Sequence, residues 1–219
     1  MFRRILRLVF GLGIRLLTRR QVENGDRIPD QGPYILAANH LSYFDLPLLF
    51  GLMGGPNVTG WAAEKYQRHP IFGLIVRMGG GIFIQRGQVD RKAMADAVAW
   101  LQAGNIFGVA PEGTRSRTGQ LQRGKTGVVY LAQEAGVPIL PVGLYGTENV
   151  ISSWSRLRRP VLNVVVGELF RLPPLDEDNR SANLRQQSDE IMLRIAALLP
   201  PSYRGYYADH PRLSDFLTH

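Results

Sequence analysis

Four short groupings in this 219-residue chain combine residue types and spacings that could do chemistry or line a site. The first is Asn39-His40-Leu41-Ser42-Tyr43-Phe44-Asp45, which follows an apolar run. A histidine that titrates near neutral pH can take a proton from an alcohol. A carboxylate on its other ring nitrogen fixes the tautomer and stabilises the imidazolium. No activated Ser or Cys nucleophile is evident, so the histidine would act on a substrate hydroxyl. A purely structural reading stands beside this one: Asp45 precedes Leu46-Pro47 and can cap a helix that starts there.

The second grouping, Gly80-Gly81-Ile82-Phe83-Ile84-Gln85-Arg86, delivers an arginine at the end of an apolar strand. A planar guanidinium there suits two phosphate oxygens, or equally a surface ion pair. The third runs Ala110-Pro111-Glu112-Gly113-Thr114-Arg115-Ser116. Glu112 can hold a substrate hydroxyl or brace Arg115, and Arg115 can hold phosphate. Alternatively, Pro-Glu-Gly builds a solvated turn. The fourth, Gly136-Val137-Pro138-Ile139-Leu140-Pro141-Val142-Gly143, has no titratable group and reads as a core strand with prolines at its start and at an irregularity.

Gly119-Gln120-Leu121-Gln122-Arg123-Gly124-Lys125-Thr126 matches the G-x-x-x-x-G-K-[ST] phosphate-loop pattern. Such a loop follows directly from a strand, whereas here Pro-Glu-Gly-Thr-Arg intervenes, so nucleotide hydrolysis is not expected. Lys125, opening a helix, can still add positive charge to an anion site. The four histidines (His40, His69, His210, His219) form no close ligand pair, so no metal site is expected.

These groups must be positioned by the elements between them. Short apolar runs predict strands over Tyr34–Ala38, Val58–Ala62, Gly81–Ile84, Ile106–Ala110, Ile139–Leu144 and Val161–Gly167. Helical spacing predicts helices over Leu46–Met53, Ile71–Met78, Arg91–Ala103, Thr126–Glu134 and Ala182–Leu198. Alternation of the two implies an α/β layered single domain with a largely parallel central sheet flanked by helices. Ligands of such sheets gather beyond the carboxyl ends of the strands, where three of the four groupings fall.

The chain carries 26 basic and 18 acidic residues, a formal charge of +8, and no cysteine. Zero cysteine excludes a disulfide framework, a thiolate nucleophile and Cys-ligated metal centres. The charge is uneven. Residues 1–20 hold Arg3, Arg4, Arg7, Arg15, Arg19 and Arg20 with no acid, leaving only +2 on the rest. A near-neutral body without a recognisable motif argues against nucleic-acid binding. Residues 2–17 place Phe2, Ile5, Leu6, Val9, Leu12, Leu16 and Leu17 at helical spacing. The run is too short to span a bilayer, and no small-residue cleavage site follows it. It reads as an interfacial helix on an anionic membrane, or as a packed helix with a solvated basic face. The expected organisation is a membrane-association segment over 1–25 and one domain over 26–219.

Taken in order, the four groupings resemble the glycerolipid acyltransferase family, the PlsC-like 1-acylglycerol-3-phosphate acyltransferases. Asn39-His40 through Asp45 looks like the family's N-H-x-x-x-x-D block, and Gly80 to Arg86 like its G-x-I-F-I-x-R block. Residues 110–116 look like its F-P-E-G-T-R-S block, with Ala110 where Phe is usual. Val137 to Val142 looks like its V-P-I-x-P-V block. The resemblance covers roughly residues 30–150. It implies transfer of a fatty acyl chain from acyl-CoA or acyl-carrier protein to a lysophospholipid hydroxyl, first the sn-2 hydroxyl of 1-acylglycerol-3-phosphate. In that reading His40 is the general base and Asp45 orients it. Arg86 and Arg115 hold the acceptor phosphate, Glu112, Gly113 and Thr114 shape that pocket, and Lys125 adds charge. No metal or redox cofactor is implied, the thioester being a co-substrate. The implied place is the cytoplasmic face of the cell membrane, peripherally or monotopically held. Another lysolipid or glycerol-3-phosphate as acceptor, or thioester hydrolysis, are the alternatives.

Overall fold

The computed structural model describes residues 2–53, 57–85, 87–88 and 90–217. Among these described residues seven strands form one sheet: β1 (Arg19–Glu23), β2 (Tyr34–Ala38), β3 (Val58–Ala63), β4 (Ile82–Ile84), β5 (Ile106–Val109), β6 (Ile139–Tyr145) and β7 (Val161–Val166). Among the described residues seven α-helices surround it: α1 (Phe2–Leu17), α2 (Asp45–Leu52), α3 (Pro70–Gly79), α4 (Arg91–Gln102), α5 (Gly127–Ala135), α6 (Val150–Trp154) and α7 (Arg180–Ala197). The strand order is β1-β7-β6-β2-β5-β3-β4. β2 runs parallel to both neighbours, β5 and β6. The β3–β4, β3–β5 and β1–β7 pairs are also parallel, and β6–β7 is antiparallel.

The central strands read as unbroken apolar runs because both faces are covered. Successive side chains go to opposite layers. Ile35, Ala37, Phe107 and Ile139 pack with α4, α5 and α7 residues such as Leu101, Leu131 and Ile191. Tyr34, Leu36, Ala38, Ile106, Leu140 and Val142 pack instead with Ile14 of α1 and Leu48 of α2. The result is a three-layer α/β/α sandwich, matching the sequence expectation.

Pro141 sits inside β6. The β6–β7 register pairs Val142 with Val166, but Ile139 bridges to Phe170. The second strand therefore carries one extra residue opposite Pro141, and Gly167 N–H donates to the Pro141 carbonyl at 2.9 Å. A proline without an N–H is accommodated at this bulge.

Two elements were not expected. β1, Arg-Arg-Gln-Val-Glu, has one apolar residue and lies at the sheet edge, so no strand pattern marks it. It falls inside the segment read as 1–25; the sheet begins at Arg19, straight after α1. α6 has only five residues, too few to show a period. The tail beyond α7, expected to pack irregularly, forms three 3₁₀ turns at 201–203, 205–207 and 213–216.

Among the described residues no helix is long and apolar enough to cross a membrane. α1 packs on α2 through a close crossing. A Cβ on Gly51 would lie 3.1 Å from the Gly11 Cα, so glycine lets the two backbones meet. Leu6, Phe10 and Ile14 turn inward, whereas Ile5, Leu8, Val9, Leu12, Leu16 and Leu17 are exposed. The described exposed side chains of α1 are therefore mostly large and apolar, with Arg15 exposed among them.

Candidate active site

β2, in the middle of the sheet, ends at Ala38 and hands the chain to Asn39 and His40. Asn39 is buried and locks this exit to β6. Its amide donates to the Leu144 carbonyl at 2.8 Å, and its oxygen accepts from Leu144 N–H at 2.7 Å. His40 then emerges with its side chain 22 % exposed, against 4 % for that of Asp45. The His40 Nδ1 lies 2.7 Å from Asp45 Oδ2.

Asp45 occupies the first turn of α2, where the helix end favours negative charge. Its side chain does not cap that helix as expected: Phe44 holds the N-cap position and no side-chain cap hydrogen bond forms. Oδ2 also accepts from the N–H groups of Leu41 and Ser42 at 2.7 and 2.8 Å. Oδ1 accepts from the Thr147 hydroxyl at 2.5 Å. The four donors suit a carboxylate that accepts only, so Nδ1 presents its proton to Asp45 and Nε2 is the acceptor nitrogen of the neutral ring. Nε2 makes no hydrogen bond among the described residues. This is the geometry of an oriented general base.

Thr147 is the site residue that sequence reasoning missed. It is fully buried just after β6, outside the four groupings, and 102 residues from its partner in the chain. Gly146 before it has a φ of 88°, and a Cβ there would sit 2.4 Å from the Val161 carbonyl oxygen. A left-handed glycine turns the chain so that Thr147 faces inward. The local signal was the pair Gly146-Thr147 at the end of a buried strand.

β5, the other neighbour of β2, ends at Val109 and supplies the second half of the site. Glu112 is 2 % exposed. Its Oε1 accepts from His40 N–H at 3.0 Å, and its Oε2 from Gln122 N–H at 3.0 Å. Burial pushes its carboxyl above the ordinary value, while the hydrogen bonds from His40 and Gln122 pull the other way. Glu112 thus ties the loop after β5 to the backbone of His40. It does not brace Arg115. Ser116 N–H adds a second tie, donating to the His40 carbonyl at 2.8 Å.

Arg115 stacks its guanidinium over the Tyr43 ring, 4.0 Å from the centroid. A hydrogen bond with the Tyr66 hydroxyl and the adjacent Arg115 hold the Tyr43 phenol below its ordinary value. Tyr43 in turn stacks on Phe72 of α3, with 5.6 Å between centroids. The guanidinium is therefore fixed on an aromatic platform close to the histidine turn. Gly113 adopts φ 70°, and the Lys125 side chain lies against it, so that a Cβ would meet Lys125 Cδ at 2.9 Å. Lys125 and Thr114 are exposed, and Lys125 N–H donates to the Pro111 carbonyl at 2.8 Å. Lys125 belongs to the loop between β5 and α5, not to a strand–loop–helix phosphate cradle. Arg86 lies outside the described residues. β4, which leads to it, ends at Ile84 and runs parallel to β3.

The structure thus brings together His40, Asp45, Glu112, Gly113, Arg115 and Lys125 at one edge of the parallel strands. A family model described as Acyltransferase matches residues 19–145, a span holding every one of these residues. A 1-acyl-sn-glycerol-3-phosphate acyltransferase of Borreliella burgdorferi is 31 % identical over 139 residues, 63 % of this chain and 54 % of that protein. A lyso-ornithine lipid O-acyltransferase of Pseudomonas aeruginosa is 25 % identical over 185 residues, 78 % of this chain and 70 % of that protein. The crystal structure of the 1-acyl-sn-glycerophosphate (LPA) acyltransferase PlsC from Thermotoga maritima superposes with a TM-score of 0.65 at 26 % identity. It covers 86 % of this chain and 76 % of that one. The chain spans about half the length of the curated relatives it matches, 49 to 54 % in three of them. On the family match, which takes in more than half of its residues, the chain belongs to the Acyltransferase family.

Proposed function

We propose that this chain transfers a fatty acyl group from an acyl thioester, acyl-CoA or acyl-carrier protein, to the sn-2 hydroxyl of 1-acylglycerol-3-phosphate. The product is phosphatidic acid. The observation that carries this reading is the His40–Asp45 pair, with Nε2 unoccupied by any described residue and Arg115 held nearby. Nε2 takes the acceptor's hydroxyl proton as its oxygen attacks the thioester carbonyl carbon. The tetrahedral intermediate collapses by breaking the C–S bond, and the imidazolium returns the proton to the departing sulfur. Ester forms, thiol leaves, and His40 ends as it began. Asp45 keeps Nδ1 protonated and stabilises the transient imidazolium. Arg115, with Arg86 and Lys125, holds the acceptor phosphate, and Glu112, Gly113 and Thr114 shape the loop around it. The chemistry calls on no metal or redox cofactor.

The acceptor is a membrane lipid and the donor is water-soluble. The apolar outer face of α1 rests on an anionic membrane surface at its cytoplasmic side, without crossing it. Similarity to the named lyso-ornithine lipid O-acyltransferase supports a second reading, in which the acceptor hydroxyl belongs to another lysolipid.

Labelled acyl-CoA and acyl-carrier protein offered with a panel of lysolipids, read by lipid mass spectrometry, separates these readings. Phosphatidic acid as the dominant product is expected. Free fatty acid formed at the same rate without any acceptor would instead identify a hydrolase. His40→Ala should lower turnover by ~10²–10⁴-fold with the thermal transition retained. Wild-type turnover in that variant would end the general-base assignment.

A further inference from the structure

The charge of this chain resolves into two pieces that touch. Residues 1–20 hold six arginines and no acid. Residues 150–160, Val-Ile-Ser-Ser-Trp-Ser-Arg-Leu-Arg-Arg-Pro, hold three more and again no acid. Everything else carries 17 basic against 18 acidic residues. The whole positive excess therefore belongs to α1 with its exit and to α6 with the turn after it.

These pieces are adjacent. Trp154 Nε1 donates to the Leu17 carbonyl at 3.1 Å. Arg159 Nη2 donates to the carbonyls of Arg15 and Thr18 at 2.8 and 2.7 Å, closing the C-terminal end of α1. Arg19 N–H donates to the Pro160 carbonyl at 2.8 Å. Arg159 is thus committed to the fold. Arg156 and Arg158 are exposed and make no ion pair among the described residues. Between them stands Leu157, 98 % exposed, with a φ of 55°. Ile151 on α6 is 68 % exposed. A leucine held fully outward between two unpaired arginines gains nothing in water. Apolar side chains among acyl groups with guanidinium groups at phosphate depth is the arrangement an anionic bilayer stabilises.

We infer that the 150–160 segment is a second membrane-contact element, docked on the end of α1, so that the protein meets an anionic lipid surface at two joined sites. The inference rests on the proposed seating of α1 on a membrane. The charge match and the continuity with the exposed leucines of α1 single out a lipid surface as the occupant. The Phe44–Trp154 edge contact, 5.2 Å between centroids, ties this segment to the residue before Asp45. The contact surface and the catalytic turn therefore keep a fixed relation.

The test is sedimentation of the full chain with vesicles of equal parts phosphatidylcholine and phosphatidylglycerol. The variant combines Arg156→Gln, Leu157→Asn and Arg158→Gln. Asparagine tolerates the left-handed backbone at 157, and Arg159 is left in place, so the fold is not burdened. Partition onto the vesicles should fall at least about tenfold, with turnover on detergent-dispersed acceptor unchanged. Leu12→Asp, on the outer face of α1, is the parallel control. Wild-type partition by the triple variant, alongside loss by Leu12→Asp, would overturn the inference and leave α1 as the lone contact. Failure of the wild-type chain to bind the vesicles would instead remove the membrane reading beneath it.

Discussion

Asp45 is satisfied on both oxygens, and the two sides do different work. Oδ2 faces the histidine and its own turn, while Oδ1 depends on one side chain, Thr147. A hydrogen bond to a charged group is worth ~1.5–3 kcal/mol, and a buried carboxylate oxygen without its donor is free to tilt away from His40. Thr147→Val keeps the shape and removes the hydroxyl. Its kcat should fall about tenfold with KM held within about twofold, because the residue acts on the histidine and not on substrate. Thr147→Ser should restore kcat. If serine fails where threonine works, packing by the methyl group is the role instead. His40 and Asp45 were legible in the sequence because one tight turn holds both, and five residues of spacing carry the geometry. Thr147 was not, since its partnership is made by strand order and not by chain proximity. Glu112 was legible as a site residue, but its role was not. Only the structure shows both of its oxygens turned onto main-chain donors of two loops.

At the scale of elements, position follows from β2 lying between β5 and β6. Each neighbour reaches the histidine turn, β5 through Glu112 and Ser116 in the loop after it, and β6 through its own Leu144 and through Thr147 just beyond its end. Buried strands with period-two or continuous apolar runs were legible, and so were helices with a stripe. β1 was not, because an edge strand facing water needs no apolar pattern. The α1–α2 crossing was also hidden, since two glycines in separate helices signal nothing until they meet. That crossing matters because α2 begins with Asp45. A large residue at Gly51 must push α1 away or shift α2. Gly51→Leu should cost ~1–3 kcal/mol by overpacking, roughly 2–4 °C of the thermal transition for each kcal/mol. It should also lower kcat by moving the first turn of α2. Gly51→Ala faces a 3.1 Å contact offset by better helix propensity, so its transition should stay close to that of the wild type. An unchanged transition in the leucine variant would show that the helices do not meet as described.

For the whole molecule, the motif-bearing half does not stand alone. The tail from 200 onward, which resembled no family block and gave no clear pattern, closes on the loop that carries Gly113, Arg115 and Lys125. Leu121 N–H donates to the Tyr203 carbonyl at 2.9 Å, and Tyr206 N–H to the Leu121 carbonyl at 3.0 Å. Tyr207, fully buried, accepts from Gly124 N–H at 3.0 Å and donates to Asp189 Oδ1 at 2.8 Å. Arg185 reaches the Gly124 carbonyl at 2.7 Å and pairs with Asp189. Gly124 is thus gripped on both its N–H and its carbonyl, one residue before Lys125. Burial, with the hydrogen bond to Asp189, pushes the Tyr207 phenol well above its ordinary range, so this donor persists into alkaline solution. Tyr207→Phe leaves the buried Gly124 N–H without its partner, while Asp189 Oδ1 keeps its bond from Arg185 Nη2. The cost should be ~1–3 kcal/mol, read as a lowered thermal transition. If the tail holds in shape the loop proposed to bind the acceptor phosphate, the same variant should raise KM for a phosphorylated acceptor several-fold while kcat changes less. Tyr206→Phe, at an exposed ring, should do neither. A stability loss with an unchanged KM would make the tail a brace for the core alone and detach it from acceptor binding.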